Sequence, residues 1–126
     1  MGCMKIAVLC VLTAFTIGFA NSSIASRHSP AECREGAEFI RNAALARLNG
    51  QTREAFMARL LGDLAMLRGM PRASRWFVRD KADELLLTRH VERVFDNPTD
   101  PKTHEEAFFA ACNPSAAAST LDDESI

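Results

Sequence analysis

Two stretches decide the fold: Ala31–Phe39, AECREGAEF, and Glu105–Asn113, EEAFFAACN. Each holds one cysteine, Cys33 and Cys112, and no cysteine lies between them. The other two, Cys3 and Cys10, fall in the opening segment. What that segment is determines the compartment, and the compartment determines what the interior thiols do.

The chain opens MGCMKIAVLCVLTAFTIGFANSSIASRHSP, with Lys5 the only charge before Arg27. The apolar run Ile6–Phe19 is short for a bilayer-spanning helix. A basic start, an apolar centre and a small-residue site make the three parts of a secretory signal peptide. Ser23-Ile24-Ala25 fits that site, so cleavage is expected after Ala25; Gly18-Phe19-Ala20 is the second candidate. An uncleaved anchor is the rival reading. Cys10 follows Leu9, where a lipid-anchored cysteine needs a small residue, and Cys3 lies too near the start. The expected organisation is a signal peptide over 1–25, a helical bundle domain over 26–114, and a disordered acidic tail over 115–126. The tail is small, acidic and has little to bury. The expected location is the periplasm, with no membrane association after cleavage.

In an oxidising compartment two exported thiols pair. A Cys33–Cys112 disulfide would close nearly the whole folded body. By chain entropy that is worth up to about 4–5 kcal/mol, comparable with the entire stability of a small domain. It also requires the first and last helices to be neighbours. A redox role is the minority reading because there is no C-x-x-C. Two cysteines with scattered histidines lack zinc-site spacing, so no metal or cofactor is expected.

Ser29-Pro30-Ala31-Glu32 is a helix start, with a capping hydroxyl, proline in the first turn and Glu32 completing a capping box. Cys33, Ala37, Ile40, Ala44 and Leu48 then share a face, and Asn49-Gly50 ends the helix through a left-handed cap. Thr52 caps a second helix with a stripe of Phe56, Leu60, Leu64 and Leu67, widened by Met57 and Leu61, and Gly69 stops it. The segment from Arg72 to Asn97 reads as two helices, about 72–79 and 81–95, or as one bent helix; Asp80 caps the second. Val78, Ala82, Leu85 and Leu86 carry its first apolar period, and Leu87, Val91, Val94 and Phe95 a shifted one. Asn97-Pro98-Thr99-Asp100-Pro101 is a rigid turn. Thr103-His104-Glu105-Glu106 opens a last short helix that buries Ala107, Phe108, Ala111 and Cys112. No segment alternates with period two, so the fold class expected is all-α, a small bundle of four to five short helices.

The 15 basic and 16 acidic residues give a net charge of −1, without the basic excess of a nucleic-acid binder. There is no phosphate-binding glycine loop, no G-x-S-x-G and no H-E-x-x-H, so no catalytic residue is assigned. His28 falls in the frayed new N-terminus, His90 on a polar helix face, and His104 in the first turn of the last helix.

Arg72, Arg75 and Arg79 recur at i, i+3 and i+7, so one helix face would carry all three beside Trp76. They read either as a solvated face paired with Asp80, Asp83 and Glu84, or as a patch for an acidic partner, since arginine with an aromatic is a frequent anchor pair. Adjacent helical residues point about 100 degrees apart, so the doublets Trp76-Phe77 and Phe108-Phe109 read either as wide core coverage between several helices or as one exposed ring in each pair, which would suit an interface. Arg72, Arg75, Trp76, Arg79 and Phe109 are therefore the candidate partner-binding residues. Met57, Met66 and Met70 read as core filler rather than copper ligands.

The order Cys33, Glu38-Phe39-Ile40, Ala44, Arg47-x-Asn49-Gly50, Pro71, Arg75-Trp76-Phe77-Val78, Val94-Phe95-x-x-Pro98, Pro101, His104, Phe109 and Cys112 resembles a group of small exported two-cysteine helical proteins of proteobacteria. Arg47-Leu48-Asn49-Gly50 departs from the Arg-Asp-x-Gly more usual there. The resemblance covers Cys33 to Cys112, implies export and a helical fold, and brings no functional residue with it. The expected function is a periplasmic, non-catalytic protein-interaction module (an adaptor, envelope-stress factor or immunity-type inhibitor) with a protein partner or a second copy of itself. The alternative is an acid-activated periplasmic holdase, because protonating the 16 carboxylates would leave a large positive charge. A ligand carrier with a pocket between helices is a third class.

Overall fold

The computed structural model describes residues 28–114, which form α1 (Pro30–Leu48), α2 (Arg53–Arg68), a single 3-10 turn (Arg72–Ser74), α3 (Lys81–Asp96) and α4 (Pro101–Cys112). These residues contain no strand, and the all-α small bundle is the observed fold. The signal-peptide and acidic-tail expectations lie outside the described residues.

Each α-helix starts where a side-chain oxygen meets the free backbone N–H groups of the first turn. Ser29 Oγ accepts from Glu32 N–H, Thr52 Oγ1 from Ala55 N–H, Asp80 Oδ1 from Asp83 N–H, and Asp100 Oδ1 from Thr103 N–H. At the end of α1, Gly50 takes φ +91°, its N–H donates to Arg47 O, and Gln51 N–H donates to Ala46 O. That is a Schellman cap, and only glycine enters it without strain.

α1 is the hub, packed chiefly on α4 and then on α3. Cys33 and Cys112 are disulfide-bonded with their Cα atoms 5.6 Å apart, so the first and last helices are neighbours as the pairing required. One turn along, Gly36 lets the buried Phe108 ring lie directly on the α1 backbone. Ile40, Ala43 and Ala44 continue this face against Leu87, Val91 and Val94 of α3 in one core cluster. α2 is the least covered helix, with only Leu60 and Leu64 buried.

Several expected boundaries and faces differ. Residues 72–79 are not a helix: after the 3-10 turn the chain is irregular to Asp80, so Arg72, Arg75 and Arg79 share no helix face. Side chains take over the backbone groups there. Arg75 donates to the carbonyls of Arg68, Met70 and Arg79, and Asp83 accepts from Arg79 N–H. The last helix begins at Pro101 with Asp100 as its cap, not at Thr103. It buries His104, Phe108 and Cys112, whereas Ala111 is exposed and Ala107 half-buried. Leu48, expected on the buried face of α1, is 62% exposed. In α3 the inward face is Leu87, His90, Val91 and Val94, while Ala82 and Leu85 face out.

Candidate interaction surface

The loop from Gly69 to Asp80 holds four of the five candidate partner residues, and the structure gives them different tasks. Arg75 is turned onto three carbonyls at 3.0 Å each and acts as the loop's internal staple. Arg79 Nη2 donates to Glu32 Oε1 at 2.7 Å and ties the loop to α1. Arg72 is the outward one; its Nη2 lies 4.0 Å from Asp80 Oδ2 and its Nε donates to Arg79 O. Trp76 is partly exposed and leans on Phe39 and Phe77, with ring centroids 5.5 and 5.8 Å away. Phe109 belongs to α4, half-buried, with the Arg34 guanidinium 6.0 Å from its ring centre. Phe77 and Phe108 are in the core, although Trp76-Phe77 lies in the irregular loop and not on a helix.

His28 is not frayed. It is buried, stacked 4.2 Å from the Phe77 ring, with Nδ1 2.9 Å from Glu32 Oε2 and Nε2 2.8 Å from Asp83 Oδ1. It therefore joins the chain just before α1 to the first turn of α3. Hydrogen bonds from His28 and Arg79 hold the Glu32 carboxyl below its ordinary range. Beside this cluster an open cleft of about 260 Å³ is lined by His28, Arg72, Arg79, Asp80 and Asp83. Its charges are of both signs and largely face each other.

A second tie closes the far side of the loop. The buried Glu84 carboxylate takes Arg68 Nε at 2.7 Å and Nη2 at 2.8 Å, with Lys81 Nζ at 3.4 Å. The bidentate Arg68 contact, ahead of the opposing effect of burial, keeps Glu84 ionised to lower pH than usual. Arg47 does the corresponding work at the other end of the bundle, donating to the carbonyls of Val94 and Thr99.

The two remaining histidines are buried. His90, expected on a polar face, sits edge-on to Phe108 at 5.2 Å. Burial first, then Arg93 and His104, push it down to about 4. His104 Nε2 accepts from Thr99 N–H at 3.1 Å, which fixes its proton on Nδ1. Burial and the nearby Arg47 lower it as well. No local sequence signal distinguishes a buried histidine from an exposed one; the tertiary packing around it does.

Several large apolar side chains are exposed as well. Leu61 and Met66 of α2 are 52% and 73% exposed, and Leu85 of α3 borders an open groove of about 250 Å³ with Met57, Leu61 and Leu64. Among the described residues no helix is long and apolar enough to cross a membrane, and no group of three His, Cys, Asp or Glu is placed to hold a metal ion. Comparison with protein-family models, with characterised proteins and with solved structures gave no match.

Proposed function

We propose that the chain is a periplasmic protein-interaction module without catalysis, exported through its N-terminal segment and oxidised at Cys33–Cys112 after export. The observation that carries this reading is a division among side chains. Four of the six buried polar side chains are engaged inside the fold: His28 and Asp83 with each other, Glu84 with Arg68, and His104 with a backbone amide. Large apolar groups stand outside as well, with Trp76 on the same loop as the outward Arg72, and Leu61, Met66 and Leu85 on α2 and α3. Aromatic and aliphatic anchors next to arginine on a rigid frame are the anatomy of a binding face. The test is photo-crosslinking in the intact cell envelope from positions 76, 61 and 85, with the exposed position 106 on α4 as control. A specific foreign adduct from one of the three, absent at position 106, is the expected result. Identical background at all four positions overturns the reading.

A second reading, the acid-activated holdase, is favoured by His90 and His104. Both are held neutral by burial, so acid forces charge into the core while the bridge limits expansion. Binding of a hydrophobic dye and suppression of a client's aggregation at pH 2–3, both lost at neutral pH, are the expected results. Absence of either refutes it.

A further inference from the structure

We infer that the outer face of α2 is a self-association surface that pairs antiparallel with the α2 of a second copy, its two-fold axis passing at Leu61. This deepens the interaction-module reading by naming a partner, and it rests on that reading only in this sense.

On α2 the fold buries Leu60 and Leu64 and half-buries Phe56, Met57 and Leu67, while Leu61 and Met66 stay exposed. The side facing away from the core holds Ala55, Ala58, Gly62, Ala65 and Met66, all exposed, with no charge among them. Leu61 and Met66 are the apolar anchors, and the small residues set how closely a second helix can approach.

The choice of occupant comes from the charges along the two edges of this face. One edge carries Glu54, Leu61 and Arg68 at seven-residue steps; the other carries Arg59 and Asp63. On each edge the sign reverses across Leu61 at equal distances, seven residues for Glu54 and Arg68, two for Arg59 and Asp63. In an antiparallel pair the same edges of the two helices meet. With the axis at Leu61, Glu54 of one copy lies level with Arg68 of the other, Arg59 lies level with Asp63, and Leu61 meets Leu61. All four contacts per dimer are then attractive. Glu54, Arg59 and Asp63 make no ion pair within their own chain among the described residues. Arg68 uses Nε and Nη2 on Glu84, which leaves Nη1 for the second copy. α2 has 16 residues and is about 24 Å long, so the contact is short and the dimer is expected to be weak.

Sedimentation of the mature, bridged chain from about 1 to 500 µM tests this. The expected result is a concentration-dependent monomer–dimer equilibrium. Arg59→Asp alone places two acids opposite each other, and Asp63→Arg alone places two arginines opposite each other. Each is expected to weaken self-association at least about tenfold. Mixing the two variants restores every pairing, and the mixture is expected to form a heterodimer at least as tight as the parent. Both side chains are exposed and unpaired, so both variants fold; circular dichroism checks this. A monomer at every concentration, or a mixture that fails to restore pairing, overturns the inference. Either failure leaves foreign adducts at positions 76 and 85 unaffected, so the broader reading is judged separately.

Discussion

Replacing Gly36 by alanine adds one methyl group at the tightest point between α1 and α4. That Cβ would lie 2.5 Å from Phe108 Cε1, 2.8 Å from Cζ and 3.3 Å from Phe77 Cδ2. Ordinary carbon–carbon contact is about 3.5–4.0 Å, so the Phe108 ring must retreat by roughly 1 Å. It has little room. Phe108 is fully buried, with Phe77 and His90 against it, and the Cys33–Cys112 bridge one turn away keeps the two helices together. Overpacking of this kind costs about 1–3 kcal/mol. Alanine's better helix propensity returns up to about 1 kcal/mol. The net expectation is a loss of about 1–2 kcal/mol, or a Tm lower by about 5–12 °C for a domain of this size. Urea unfolding of Gly36→Ala measures it. Repeating the change in a Phe108→Leu background, where the ring is absent, should lower the cost by at least about 0.5 kcal/mol. A more stable Gly36→Ala protein, or no coupling to Phe108, would refute the claim that this glycine is required by the ring.

Three further outcomes are expected. Replacing both Cys33 and Cys112 by alanine should remove up to about 4–5 kcal/mol, leaving a body only marginally folded at room temperature; a denaturation midpoint indifferent to reductant would contradict this. His90 should make stability fall as the solution is acidified. Its folded pKa is depressed from 6.5 to about 4, so between those values the unfolded chain binds a proton that the folded chain refuses, and stability drops by up to about 3 kcal/mol from pH 7 to pH 4. His104, shifted the same way, adds to this window, and the lowered carboxyls of Glu32, Glu84 and Asp100 extend the loss below their ordinary values; urea midpoints that stay level over pH 7–4, or that do not flatten in His90→Gln, would show the assignment wrong. Finally, Arg75→Ala should cost about 2–3 kcal/mol through its three carbonyl partners and speed amide exchange in residues 70–79, whereas the outward Arg72→Ala should stay within about 0.5 kcal/mol; equal effects would undo the distinction drawn between them.

The parts of this fold written in short-range chemistry were legible in the sequence. Ser29, Thr52 and Asp80 announce helix starts because a capping oxygen acts on an amide three residues away. Gly50 announces an end because the left-handed cap asks for glycine. The bridge was legible because Cys33 and Cys112 are the only thiols after the opening segment, and two thiols have one way to pair. Asp100-Pro101 repeats the cap-plus-proline signal of Ser29-Pro30, yet the neighbouring Pro98 makes the stretch read as a rigid turn, and the start of α4 was placed too late. The helix expected at 72–79 failed for a different reason. The Arg79 carbonyl is taken by Arg75 and its N–H by Asp83, which holds the end of the stretch in an irregular path. His28 could not have been found locally, since Asp83, one of its partners, is 55 residues away. The candidate patch suffered accordingly: of three arginines expected on one face, only Arg72 is outward and loosely held.

The clasp between α1 and α4 also governs how the molecule answers a pull. Tension applied at the two flanking segments enters at residue 33 and leaves at residue 112, crossing a gap of 5.6 Å between Cα atoms. The load runs through one covalent bond and bypasses the 79-residue excursion between them. Tethered at either extremity, the oxidised body would transmit force without unravelling; reduced, the same chain would extend.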